Sequence, residues 1–138
     1  MPEAYIATIL LSLPVQLFLP LPVFRSGWIG HLTGWPPVII GIFLALWSAS
    51  EAGKMHISSP DRLITTGPFA FSRNPMYVGW ALIYTGYALI INSVWALALF
   101  PAAFLYVHFL EIRREEKYLQ EKFGTLYDAY RKKVRRYL

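Results

Sequence analysis

Apolar residues fill four separate runs of the chain, and the charges gather between and after them. Residues 4–24, AYIATILLSLPVQLFLPLPVF, hold no charge and are long enough to cross about 30 Å of hydrocarbon at about 1.5 Å per residue. Pro14, Pro20 and Pro22 predict a kink in this first helix or an early end near Phe18. The Met1-Pro2-Glu3 start lacks the basic region and small-residue cleavage site of a signal peptide, so the run reads as a span. Arg25 to Trp35 reads as a Gly-rich polar turn, and Pro36 and Pro37 suit the first turn of a second helix from Val38 to about Gly53. Residues 54–75 carry charges and Pro or Gly breaks and read as a loop. The third run, Met76–Ile91, meets the polar pair Asn92-Ser93, and a fourth follows from Val94 to about Leu110. Two such runs around a two-residue turn predict a helical hairpin in the membrane. Gly79 and Gly86 share a face within it, which allows either plain helix packing or another close approach to the backbone.

After Arg113 the pattern changes. Leu119, Phe123, Leu126, Tyr130 and Val134 follow helical spacing among charged neighbours, predicting one apolar stripe on an amphipathic helix that Gly124 interrupts. The fold class is therefore all-α: a polytopic membrane protein of about four transmembrane helices plus an amphipathic C-terminal helix. Residues 1–138 form a single membrane domain, in which 1–53 supply two spans and 54–138 the loop, the hairpin and the tail.

Composition sharpens this picture. The chain has 138 residues, 56% of them hydrophobic, and its mean hydropathy of +0.41 is high for a water-soluble domain. Thirteen basic and eight acidic residues give a net charge of +5, yet the first 112 residues carry only Glu3, Arg25, Glu51, Lys54, Asp61, Arg62, Arg73 and Glu111. Basic residues beside apolar spans suit an anionic membrane face rather than a nucleic acid. The positive-inside rule puts the 54–75 loop, the tail and both termini on the cytoplasmic side, in an inner or plasma membrane. With no cysteine, disulfides, thiolate metal sites and cysteine nucleophiles are excluded.

Soluble-enzyme chemistry finds no support in the motifs. Gly27, Gly30 and Gly34 lack the context of a dinucleotide fingerprint, and His31, His56 and His108 are too scattered to suggest a metal site. A polar cluster in two pieces remains. The rigid aromatic stretch from Gly67 to Gly79 delivers Arg73, Asn74 and Tyr77 to the mouth of the third span, and Glu115-Glu116 stand at the matching end of the fourth. The predicted hairpin makes them neighbours. His108, Glu111 and Glu115 are spaced by three and four, so they share one helical face. Arg73, Glu115, Glu111 and His108 are the candidate catalytic groups, although snorkelling arginines paired with interfacial glutamates would produce the same pattern.

These residues carry a resemblance. Leu63-Ile64-Thr65-Thr66-Gly67-Pro68-Phe69 with Ser72-Arg73-Asn74-Pro75-Met76-Tyr77-Val78-Gly79, then Glu115-Glu116-Lys117-Tyr118-Leu119 and Phe123-Gly124-Thr125-Leu126-Tyr127-Asp128-Ala129-Tyr130, resemble the isoprenylcysteine carboxyl methyltransferase and phospholipid methyltransferase family. Its members are small integral membrane enzymes that bind S-adenosylmethionine among C-terminal helices. The resemblance implies a cofactor site made of Leu63, Ile64, Gly67, Phe69, Arg73, Asn74, Pro75, Met76, Tyr77, Glu115 and Glu116, with no metal. Apolar and aromatic groups suit adenine, a carboxylate suits ribose hydroxyls or an amine, and a guanidinium suits the methionyl carboxylate. The implied partners are a lipophilic acceptor and membrane lipid.

Two positions depart from the family pattern. Asn74 stands where many relatives have His, and keeps a donor and an acceptor but not the titration near neutral pH. Glu111 stands where the prenylcysteine enzymes place an Arg, and it favours an amine, phenol, thiol or lipid headgroup over a carboxylate acceptor. A nicotinamide-dependent membrane reductase and a non-catalytic membrane protein remain as alternative readings; the former calls for more basic groups than Arg62 and Arg73.

Overall fold

A computed structural model describes residues 3–58 and 62–138, the side chains of 55–58 excepted. Helices α1 (Glu3–Phe18), α2 (Gly27–Ser58), α3 (Pro75–Ile90) and α4 (Val94–Tyr106) form a bundle, followed by α5 (Arg113–Phe123) and α6 (Thr125–Lys133). A short 3₁₀ turn, Gly67–Ala70, lies in the loop before α3. The expectation of an all-helical chain holds, and α1 ends at Phe18 just before the proline-rich segment.

Three boundaries differ from the sequence expectation. Helix α2 begins at Gly27, so Gly27–Trp35 is helical and Pro36 and Pro37 sit inside the helix. Tertiary packing outweighs the two lost hydrogen bonds, because α2 lies along α3 on a seam of small residues. A Cβ on Gly41 would stand 2.6 Å from the Gly79 carbonyl oxygen, and one on Gly79 would stand 2.8 Å from that of Gly41. Only glycine allows backbones that close, so Gly79 and Gly86 serve helix packing. The same helix runs on to Ser58, into what reads as loop in the sequence; residues 59–61 lie outside the described residues.

The third difference follows α4. A π-helical turn, Val107–Ile112, joins it to α5 without a break, so the charged tail begins as an extension of the fourth apolar run. The apolar stripe then fails at Gly124, whose φ of 50° is a conformation that side-chain-bearing residues rarely adopt. This turn changes the register. Leu126 is left exposed and Tyr127 is buried in its place, while Tyr130 is buried as the stripe predicts.

Packing pairs α2 with α3 and α1 with α4, and the α3–α4 hairpin contact is the lesser one. Tyr5, Tyr84 and Phe100 cluster where α1, α3 and α4 meet. At the Asn92-Ser93 turn the Asn92 side chain bonds both the N–H and the carbonyl of Phe24, at 2.8 and 2.9 Å. Among the described residues, two helices are long and apolar enough to cross a membrane, Gly27–Lys54 and Val94–Phe123. Helices α1 and α3, of 16 residues each, reach about 24 Å. Trp28, Leu32, Ile39, Phe43 and Leu46 on α2 leave 61–66% of their surface uncovered, an apolar exposure that marks a face for lipid or another protein.

Candidate functional site

The loop before α3 is rigid for reasons local to it. Pro68 and Pro75 begin its 3₁₀ turn and α3 respectively, and Gly67 takes φ 58° so that the chain can turn against Trp47 and Glu51 of α2. Thr66 donates to Glu51 at 2.5 Å. From the other side the tail grips the same loop. Tyr130 donates to the Phe69 carbonyl at 2.6 Å, and burial pushes its hydroxyl up to about 12, which keeps it a donor at physiological pH. Residues beyond α6 run alongside: the Arg73 N–H donates to the Arg135 carbonyl at 2.9 Å, and the Asn74 amide donates to the Arg136 carbonyl at 3.0 Å.

Between loop and tail lies a cavity of about 460 Å³, within the range of small-molecule sites. Leu63, Ile64, Phe69, Arg73, Asn74, Pro75, Met76, Tyr77, Glu115 and Glu116 all line it, together with Ala52, Arg62, Tyr118, Leu119, Lys122, Phe123, Tyr127 and Tyr130. Gly67 does not. Neither do His108 and Glu111. His108 stacks near Phe104 at 6.1 Å between ring centroids and is hydrogen-bonded to the Tyr137 hydroxyl. Glu111 meets the site at Tyr77, whose hydroxyl donates to Glu115 Oε2 at 3.1 Å and lies 3.5 Å from Glu111 Oε2. The shared face expected of His108, Glu111 and Glu115 thus holds for the two glutamates alone, and the π-helical turn carrying His108 and Glu111 is the local departure from α-helical register.

Part of the cavity lining is apolar and aromatic, through Leu63, Ile64, Phe69, Leu119 and Phe123. Another part is charged. Glu116 holds two guanidiniums: Arg73 Nη1 at 3.0 Å from Oε1, and Arg136 Nη2 at 2.7 Å from Oε2 with Nε at 3.0 Å from Oε1. These hydrogen bonds hold the Arg136 guanidinium above its ordinary pKa. Two cations around one carboxylate leave a net positive charge. Arg73, its side chain 9% exposed, also donates to the Tyr127 hydroxyl at 3.3 Å, while its Nε is buried with no hydrogen-bond partner among the described residues. The site therefore fits a ligand with an aromatic end and a carboxylate.

Contributors beyond the expected set include Leu119, Lys122, Phe123 and Tyr127 in the lining, and Arg136 behind Glu116. Tyr127 was hidden by the register change at Gly124, whereas Arg136 lies twenty residues beyond Glu116 with no spacing rule to connect them.

Fold and cavity define a helical protein with two helices, among the described residues, apolar enough for a membrane and a cavity of small-molecule size where its loop meets its tail. Residues 29–126 match the phospholipid methyltransferase family, and the chain belongs to that family. It is 34% identical over 86 residues to the protein-S-isoprenylcysteine O-methyltransferase of Schizosaccharomyces pombe, a match covering 62% of this chain and 34% of that relative. The matched part is thus about a third of the relative's length. No solved structure matches the chain.

Proposed function

We propose that the chain carries out S-adenosylmethionine-dependent methyl transfer to a lipophilic, membrane-embedded acceptor, at the cavity between loop and tail. The observation that carries this reading is the gathering of every implied cofactor contact except Gly67 around one cavity whose lining combines apolar, aromatic and charged side chains. Leu63, Ile64, Phe69, Leu119 and Phe123 would hold adenine, Glu115 the ribose or amino group, and Arg73 the carboxylate. S-adenosylmethionine, when bound, supplies a methyl group on a positively charged sulfur. Phe69 and Tyr77 offer ring faces that favour such a cation. The remaining task of the residues is positioning and exclusion of water. Titration calorimetry of the detergent-solubilised chain with S-adenosylmethionine and S-adenosylhomocysteine tests this. One saturable site is expected for each and none for NADPH; a folded protein that binds neither overturns the reading.

The same proposal includes a topology of four membrane passes, with the cavity, the tail and both termini cytoplasmic. It rests on the basic bias of residues 113–136. Ser93 is fully buried, so the reporter for the opposite end is Ser26, which is exposed and adjoins the Phe24 to Asn92 contacts. A cysteine at Ser26 should react with an impermeant maleimide added outside intact cells, and one at Lys132 should react only after lysis. The reverse pattern inverts the orientation.

A further inference from the structure

The residues that follow α6 do more than end the tail. Val134 to Tyr137 lie along the motif loop, held by the Arg73 N–H on Arg135, by the Asn74 amide on Arg136, and by Tyr137 on His108. All of them lie beyond the residues that match the family. Arg136 reaches back from this segment and takes Glu116 with two hydrogen bonds, at 2.7 and 3.0 Å, while Arg73 takes it with one ion-pair contact at 3.0 Å.

The electrostatic consequence turns on counting charges in a partly dehydrated place. Were Arg73 and Glu116 alone, they would form a neutral pair, and a ligand carboxylate would meet as much repulsion from Glu116 as attraction from Arg73. With Arg136 present the carboxylate of Glu116 is compensated from the side of the tail, so the cluster keeps one net positive charge. Arg73 is the cation of the cluster that lines the cavity.

Resting on the reading of the cavity as an S-adenosylmethionine site, we propose that Arg136 is a positioning residue that neutralises Glu116 and so frees Arg73 to hold the carboxylate of the ligand's amino-acid end. It acts through Glu116 and is specific for that end of the ligand. The two probes that separate this from a structural role are S-adenosylhomocysteine, which bears the amino-acid carboxylate, and 5′-methylthioadenosine, which shares the nucleoside and thioether and lacks it.

Calorimetry on the full chain in detergent reads the result. Arg136→Gln, which removes the charge, should weaken S-adenosylhomocysteine roughly tenfold, an ordinary coupling between neighbouring charged groups. It should leave 5′-methylthioadenosine within about twofold, since the nucleoside end is not coupled to the cluster. Arg136→Lys keeps the charge and should bind S-adenosylhomocysteine within about threefold of the original protein. Should the Gln variant not fold, the Lys variant carries the test: its looser hold on Glu116 should cost S-adenosylhomocysteine about threefold and leave 5′-methylthioadenosine unchanged. Equal weakening of the two probes, or no change in either, overturns the inference and leaves the cavity reading intact. Failure of the unmodified chain to bind either nucleoside overturns both.

Discussion

Arg73→Ala should weaken S-adenosylmethionine binding by about ten- to a hundredfold, and Glu115→Gln by a similar factor, with little loss of fold stability in either. A hydrogen bond to a charged partner contributes on the order of 1.5–3 kcal/mol, and each 1.4 kcal/mol is tenfold in affinity. The small stability cost follows from what each removal leaves behind. Without Arg73, Glu116 keeps both hydrogen bonds from Arg136, so no buried carboxylate is stranded. Without the charge on Glu115, the Gln carbonyl still accepts from Tyr77, now 3.1 Å from Oε2. Glu116→Ala is the contrasting variant. It strands two guanidiniums, one of them 9% exposed, and should lower stability by about 2–4 kcal/mol, near the low end of values for broken buried pairs because Arg136 is partly solvated. Calorimetry for affinity and thermal unfolding for stability separate the two patterns. A folded Arg73→Ala or Glu115→Gln protein that binds normally removes that residue from the cofactor site.

How much of this was legible in the chain depends on which force set each feature. Helix α3 and the Asn92-Ser93 turn were visible because composition alone fixes them: an uncharged apolar run, then two polar residues. Helix α2 was misread at its start because local propensity favours a turn at Gly27, Gly30, Gly34, Pro36 and Pro37. Tertiary contact decides otherwise, through the close approach of α2 and α3 at glycines far apart in the chain, Gly41 on Gly79 and Gly34 on Gly86. The pairing of the loop with Glu115-Glu116 was anticipated from the hairpin. It is realised through Tyr77 on Glu115 and Arg73 on Glu116, although α3 packs more on α2 than on α4. His108 escaped its expected place because helical spacing assumes 3.6 residues per turn, and Val107–Ile112 is π-helical. No periodicity could reveal Arg136, since a side chain returning from an irregular segment obeys no spacing rule.

A carboxylate acceptor should be the poorest substrate class for this protein, and the reason is the pair of glutamates converging on Tyr77. Glu111 and Glu115 both face that one hydroxyl, at 3.5 and 3.1 Å, so an acceptor approaching Tyr77 from the bilayer side meets two carboxylates. Like charges about 5 Å apart repel by roughly 3 kcal/mol at an effective dielectric constant near 20, and solvent screening lowers this toward about 1–2 kcal/mol. That is still roughly a five- to thirtyfold penalty, which a cationic amine escapes and a neutral thiol or phenol avoids in large part. The two probes are N-acetyl-S-farnesylcysteine, which presents a carboxylate, and dodecylamine, which docks as an ammonium and gives up one proton to solvent before its nitrogen lone pair attacks the methyl carbon. With methyl-labelled S-adenosylmethionine, dodecylamine should be methylated with at least about tenfold higher kcat/KM. Glu111→Arg replaces one carboxylate by a guanidinium and should reverse the order, raising turnover of the farnesylcysteine and lowering that of the amine. Glu111→Gln should fall between the two. Since Glu111 lies outside the cofactor cavity, S-adenosylmethionine affinity should stay within about threefold in both variants, which separates an effect on the acceptor from one on the donor. Efficient methylation of the farnesylcysteine by the unmodified protein would mean that the acceptor never passes Glu111, and the charge argument would fail with it.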